Sequence, residues 1–248
     1  MGINDPGLLY GATVFTTVRV YQQSLSHPLT NWTAHCDRLR NSLQSFGWQL
    51  PDWKRVRQGV RALLPFFPVL RIVIFADGRE WITGRSLPAD LRERQQEGVI
   101  AWVADEPQFR RSLADHKTGN YLGAWLALQK AGKLGSKSAI LIDYEGNWLE
   151  TSTGNLWGWK DGCWWTPPLN GKILPGIMRS QLLTWLQSQD LVVKEVSWNW
   201  DFVKGMEAIV YSNSVVEVVP FHTIVAPDGN LNLDPKHPIL EQLLMENR

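Results

Sequence analysis

Apolar positions recur along this chain with two periods, and the changes between them mark out its elements. From residue 13 to 21 (Thr-Val-Phe-Thr-Thr-Val-Arg-Val-Tyr) the alternation has a period of two, which predicts a strand. It puts Val14, Thr16, Val18 and Val20 on one face, and Phe15, Thr17, Arg19 and Tyr21 on the other. The first face belongs to a core. The second, aromatic and polar, fits a pocket lining or a solvated outer surface equally well. Residues 8–11 read as a turn ahead of this strand. Helical spacing then predicts a helix over 32–46, with Thr30 or Asn31 as its cap and Gly47 as its stop. Leu39, Leu43 and Phe46 form its buried stripe, and Arg38 lies on a flank. A second helix over 53–64, an apolar strand over 69–75 and a prospective partner strand at 81–83 follow. Residues 88–96 are charged and read as exposed, and 99–104 as another strand.

Residues 105–112, with Pro107 and two arginines, have the composition of a linker. Apolar residues at helical spacing over 121–128 then predict a mostly buried helix. Strands are expected at 139–143 and 148–150, around a hairpin turn at 144–147, and again at 156–159 and 163–166. An amphipathic helix over 177–188 precedes strands at 192–198, 208–212 and 215–219. The expected class is α+β with α/β character. A small N-terminal α+β domain (1–106) leads through an interdomain linker (107–113) to a larger C-terminal domain (114–248).

Composition narrows the partners. The net charge is +1 with 20% charged residues, so no global field favours nucleic acid or an anionic membrane. Cys36 and Cys163 form neither a metal spacing nor a disulfide framework, which fits a reducing compartment. The N-terminus lacks the basic start and apolar stretch of a signal peptide, and no run approaches the roughly 20 apolar residues of a membrane span. The expectation is a soluble, cytoplasmic protein without metal, nucleic-acid or membrane partners. The 14 tryptophans are scattered and are expected to fill core and dimer surface.

Candidate chemistry centres on Lys117 in Asp-His-Lys-Thr-Gly-Asn-Tyr, between an Arg-rich lead-in and the apolar run. A lysine drawn toward apolar surroundings loses stability as an ammonium, and the neutral amine suits Schiff-base chemistry with an aldehyde. Three other features join it. Glu150 ends a strand before the small residues 151–155; Pro175-Gly176 opens a helix whose free amides favour an anion; Ser212-Asn213-Ser214 is a polar turn. A lysine for an aldehyde, a carboxylate for a pyridine nitrogen and an anion-binding helix start together make a pyridoxal-phosphate site.

The order and wording of these stretches resemble the fold-type IV pyridoxal-phosphate enzymes, over nearly the whole chain. That family includes D-amino-acid and branched-chain aminotransferases and 4-amino-4-deoxychorismate lyases. The resemblance implies a two-domain, D-amino-acid aminotransferase-like fold with the cofactor, pyridoxal 5'-phosphate, between the domains, and a homodimer acting on a small molecule. In His-Cys-Asp-Arg-Leu it makes Arg38 the phosphate-binding arginine, and in Lys-Thr-Gly-Asn-Tyr it makes Lys117 the Schiff-base lysine. In Leu-Glu-Thr-Ser-Thr-Gly-Asn-Leu, Glu150 matches the carboxylate facing the pyridine nitrogen, with Asn155 closing the turn. Leu174 is implied to pack on the ring, the amides of Ile177 and Met178 to bind phosphate, and Ser214 to add a further donor. Phe15, Thr17, Arg19 and Arg110 are the expected substrate contacts. Phe-Thr-Thr-Val-Arg-Val at 15–20 and Gly-Ile-Met-Arg at 176–179 look lyase-like, where transaminases often carry Glu at position 16. Asp77 falls where some relatives place an arginine for the substrate carboxylate. The resemblance thus implies a lyase releasing 4-aminobenzoate and pyruvate, on the route to folate. Its alternatives are a branched-chain or D-amino-acid aminotransferase, or a paralogue that binds cofactor without catalysis.

Overall fold

A computed structural model describes residues 2–243, so Met1 and residues 244–248 of the expected domains lie outside the described residues. The chain separates into two units. The first runs to Ala89 and also takes in His116–Tyr121; the second comprises Asp90–Asp115 and the chain from Leu122 onward. This differs from the expected boundaries at two places. The strand over Val99–Ala104 pairs with strands of the second unit, and the segment carrying Lys117 pairs with the first.

The first unit contains α1 (Pro6–Leu9), β1 (Thr13–Arg19), α2 (Trp32–Ser45), α3 (Trp53–Leu63), β2 (Val69–Phe75) and β3 (Glu80–Arg85). A short helix stands at 6–9 where a turn is expected, because Asp5 accepts from the Gly7 amide and Pro6 opens it. The strands form an antiparallel sheet in the order β1-β2-β3. Alternation along β1 works as its pattern predicts: Val14, Val18 and Val20 pack with Leu39, Leu43, Val56, Val60, Leu70, Ile72 and Ile74 in one core. Asn31 occupies the cap position of α2 without a side-chain capping bond. Thr30 instead accepts from the Tyr21 amide and donates to the Ser24 carbonyl, closing the preceding turn.

On the free edge of β1 the segment 117–119 adds a short extra rung. The Phe15 amide donates to the Lys117 carbonyl (2.8 Å), and the Gly119 amide to the Thr13 carbonyl (2.7 Å). A Cβ on Gly119 would stand 2.4 Å from Thr13 Oγ1 and 2.6 Å from the Gly11 carbonyl oxygen. Only glycine lets the backbones approach this closely.

The second unit holds α4 (Leu91–Glu97), β4 (Val99–Ala104), α5 (Leu122–Lys133), β5 (Ser138–Ile142), β6 (Trp148–Thr151), β7 (Asn155–Lys160), β8 (Cys163–Thr166) and α6 (Ile177–Ser188). β9 (Val193–Glu195), α7 (Trp200–Val203), β10 (Ala208–Asn213), β11 (Glu217–Ala226) and β12 (Gly229–Asn232) complete it. Its sheet runs β10-β11-β4-β5-β6-β7-β8-β9, and an extra β7–β10 pairing closes the strands from β10 through β7 into a barrel. Three expectations are corrected here. The charged stretch 88–96 contains α4, anchored by buried Leu91 and the Arg94–Asp90 pair. The helix after Lys117 is not mostly buried: α5 packs through Ala124, Ala127 and Ala131, while Leu122 and Trp125 are exposed. The strand expected over 192–198 is only β9, with Trp198 forming an isolated bridge to Trp148. Among the described residues no helix is long and apolar enough to cross a membrane.

Candidate active site

Pairing on the edge of β1 sets the position of Lys117. Its half-buried side chain runs beside Phe15, with Nζ 4.8 Å from the Phe15 ring centroid and 4.7 Å from that of Tyr121. Nζ also donates to the Tyr121 hydroxyl at 3.3 Å. The two rings meet edge to face at 5.4 Å. Arg71 lies opposite Thr17 in the β1–β2 register, and its guanidinium sits 3.6 Å from the Phe15 centroid. The Phe15–Thr17 face of β1 therefore carries an amine, two aromatic rings and a second cation. Arg19, further along that face, stands over Tyr21 at 4.8 Å.

On the opposite face of β1, Arg38 of α2 donates from Nη2 to Thr16 Oγ1 (2.7 Å), and Thr16 also contacts His35 Nδ1 (2.6 Å). Among the described residues Arg38 forms no ion pair, and its buried Nε has no hydrogen-bond partner. Burial pushes the guanidinium down to about 10. A half-buried cation so placed is stabilised by any anion that reaches it.

In the second unit Glu150 of β6 is 4% exposed, and both of its oxygens are engaged. Oε1 accepts from Arg111 Nη1, and Oε2 from the Leu174 amide at 3.1 Å. The Asn155 side chain donates to the Leu174 carbonyl at 2.9 Å. These bonds tie the approach to α6 onto β6 and β7. Gly176 then caps α6 without any side-chain bond, which leaves its first amides, at Ile177 and Met178, for another acceptor. A Cβ on Gly176 would fall 2.0 Å from Asn155 Oδ1, so this cradle admits only glycine. Ser212 accepts from Trp157 Nε1 (2.9 Å), and half-buried Ser214 follows it in the turn. Arg110 stacks on the Tyr144 ring at 3.9 Å and lines a cavity of about 260 Å³ with Arg111, Leu149 and Lys172.

Residues 13–224 match the family described as amino-transferase class IV. The chain belongs to that family. Class IV aminotransferases use pyridoxal phosphate and share the mixed α/β, fold-type IV architecture. Among curated relatives, an aminodeoxychorismate lyase of Vibrio harveyi is 24% identical over 246 residues, spanning 93% of this chain and 89% of its own. A D-alanine aminotransferase of Staphylococcus aureus (strain MSSA476) is 26% identical over 259 residues, spanning 97% and 88%. A hypothetical aminotransferase from Mycobacterium tuberculosis, in its PLP-bound form, superposes with a TM-score of 0.81 at 18% identity, covering 100% of this chain and 94% of that one.

The residues present fit the class IV cofactor. Within the first unit half-buried Arg38 offers a guanidinium with no ion pair among the described residues; within the second, α6 offers uncapped amides and Glu150 a carboxylate paired with Arg111. Within the first unit the structure brings together Lys117, Phe15 and Thr17; within the second it brings together Glu150, Asn155, Leu174, Ile177 and Met178. Sequence reasoning missed Arg71, Tyr121, Arg111, Thr16 and His35 as contributors. Period two does put Arg71 on the outer face of its strand, yet nothing local marks the pairing that stacks it on Phe15.

Proposed function

We propose that this class IV enzyme is a pyridoxal-phosphate-dependent lyase that converts 4-amino-4-deoxychorismate to 4-aminobenzoate and pyruvate. The observation that carries the reading is the setting of Lys117. Its amine lies against two aromatic rings with Arg71 over one of them, which suits a flat ring bearing a carboxylate. Neutral Thr16 beside Arg38 supports the same reading, given the lyase-like wording of that strand.

Each residue then has a task. Lys117 would hold the cofactor aldehyde and would serve as the base for the proton on the ring carbon beside the substrate amine. Tyr121, within reach of Nζ, accepts from the amine and steadies its direction. Arg71 pairs with a substrate carboxylate, in place of the arginine that Asp77 does not supply. Arg38 would offer its cation to the phosphate, the Ile177 and Met178 amides and Ser214 would offer donors to it, Leu174 would pack on the ring, and Glu150 would keep the ring nitrogen protonated. The bound cofactor supplies an electron sink for the pair left by the departing proton. Loss of enolpyruvate, which takes up a proton to become pyruvate, leaves an aromatic product and drives the step. The reading carries with it a homodimer acting in the cytoplasm, in folate synthesis.

The second reading is a D-amino-acid or branched-chain aminotransferase, favoured by a D-alanine aminotransferase relative as similar as the lyase. An inactive cofactor-binding paralogue is disfavoured because Lys117, Glu150 and Arg38 are all present. The test mixes purified holoenzyme with enzymatically generated aminodeoxychorismate and follows 4-aminobenzoate. Release is expected, abolished in Lys117→Ala, with KM raised roughly ten-fold in Arg71→Ala for the loss of one charge-assisted contact. No 4-aminobenzoate, together with rapid conversion of the cofactor to its amine form by D-alanine, leucine or glutamate, makes the enzyme an aminotransferase.

A further inference from the structure

We infer that Thr16 and His35 are positioning residues for Arg38: a buried hydroxyl–imidazole pair that aims the guanidinium at a phosphate monoester without neutralising it. The inference rests on the phosphate role given to Arg38.

Hydrogen-bond direction carries it. A guanidinium has donors only, so at 2.7 Å from Arg38 Nη2 the Thr16 oxygen accepts. The single hydrogen of that hydroxyl must then point elsewhere, and His35 Nδ1 stands 2.6 Å away. We assign Nδ1 as the acceptor, the arrangement that uses the hydroxyl's single hydrogen and puts the proton of the neutral His35 ring on Nε2. Thr16 is 0% and His35 1% exposed, so bulk water offers neither an alternative partner. Burial, with the Arg38 and Lys117 charges, holds His35 well below the usual imidazole range, in agreement with a neutral ring.

The chemistry of the pair matters as much as its geometry. Held by a carboxylate, a buried guanidinium would already be neutralised, and an incoming anion would have to compete for it. Held by a neutral hydroxyl, Arg38 keeps its full charge, and its Nε stays without a partner until an anion arrives. Thr16 thus fixes the rotamer, and His35 fixes Thr16. With its hydrogen pinned on His35, the hydroxyl cannot rotate that hydrogen toward the guanidinium.

The experiment compares two probes on cofactor-depleted full-length protein: pyridoxal 5'-phosphate, and pyridoxal, which lacks the phosphate. Binding is read by quenching of tryptophan fluorescence. Thr16→Val keeps the shape but removes both bonds. It should weaken pyridoxal phosphate roughly ten-fold, the value of one hydrogen bond to a charged group, and leave pyridoxal unchanged. Thr16→Ser restores the hydroxyl and should restore wild-type binding. The 15N shifts of His35 near neutral pH should show an unprotonated Nδ1 and a protonated Nε2. Unchanged pyridoxal phosphate binding in Thr16→Val, equal weakening of both probes, failure of Thr16→Ser to rescue, or a protonated Nδ1 would each overturn the inference. Arg38→Ala separates it from the reading beneath it. If Arg38→Ala binds pyridoxal phosphate as tightly as wild type, the phosphate role itself falls. If Arg38→Ala weakens it and Thr16→Val does not, only the positioning role falls.

Discussion

Glu150 and Arg111 form the most enclosed ion pair tied to the candidate site, each side chain only 5% exposed. Replacing Glu150 by Gln keeps an oxygen that can accept from the Leu174 amide, but it removes the carboxylate that pairs with the buried Arg111 charge. Breaking such a pair from one side costs about 3–5 kcal/mol, a large part of the roughly 5–15 kcal/mol that holds a domain folded. Arg111→Met removes the cation from the same pair and should cost a similar amount. Removing both charges takes away the pair together with the burial cost of each ion. The double variant should therefore be at least about 2 kcal/mol more stable than the sum of the single losses. Turnover should behave differently. Glu150→Gln cannot keep a pyridine nitrogen protonated, so activity should fall roughly a hundred-fold or more, as when other electrostatic stabilisers are removed. The double variant should not regain it. Urea unfolding followed by tryptophan fluorescence gives the stabilities, and 4-aminobenzoate release gives the rates. Additive stabilities would refute the ion-pair reasoning; near-normal turnover in Glu150→Gln would refute the role of Glu150.

Two further outcomes follow from the geometry. Gly176→Ala drives a Cβ to 2.0 Å from Asn155 Oδ1 and should cost about 1–3 kcal/mol by overpacking, with weaker pyridoxal phosphate binding. Gly132→Ala, on α5 with nothing within 4 Å, should raise thermal stability by about 0.4–1 kcal/mol; equal melting shifts in the two variants would contradict the cradle. His35 has a depressed folded pKa, so below its unfolded value of 6.5 the unfolded chain binds more protons and stability falls as the pH is lowered. The slope attributable to His35 approaches about 1.4 kcal/mol per pH unit, and it should be absent from His35→Gln in denaturation series run downward from neutral pH.

How much of this could be read from the chain depends on the range of the physics involved. Period two placed both faces of β1 correctly, because core and outer face differ along a single strand. The helix over 177–188 and the strands over 69–75, 99–104 and 163–166 have the expected bounds, since their flanking Gly, Pro and Asp residues act locally. Long-range pairing left no such trace. Chain order puts β4 with the first half, yet it hydrogen-bonds to β5 and β11. In α5 the apolar spacing over 121–128 does not mark the buried face: the helix packs through its alanines, while Leu122, Trp125 and Leu126 are exposed. Small side chains allow close approach to a sheet, and hydrophobic patterning weights them least.

The candidate site divides along the same line. Lys117, Glu150 and Arg38 stand in distinctive local wording; their partners do not. Arg111 lies thirty-nine positions before Glu150, and Thr16 twenty-two before Arg38. Those partners decide what each charge can do. Glu150 is buried with a cation and a backbone amide, so its ionised form is stabilised inside its own unit. Half-buried Arg38 is held by a hydroxyl and forms no ion pair among the described residues, so its charge is open to an anion. A carboxylate held ionised can keep a proton on a nitrogen beside it, and a cation left unsatisfied can bind a phosphate. The two residue types are common, and only the contrast between their partners separates one task from the other.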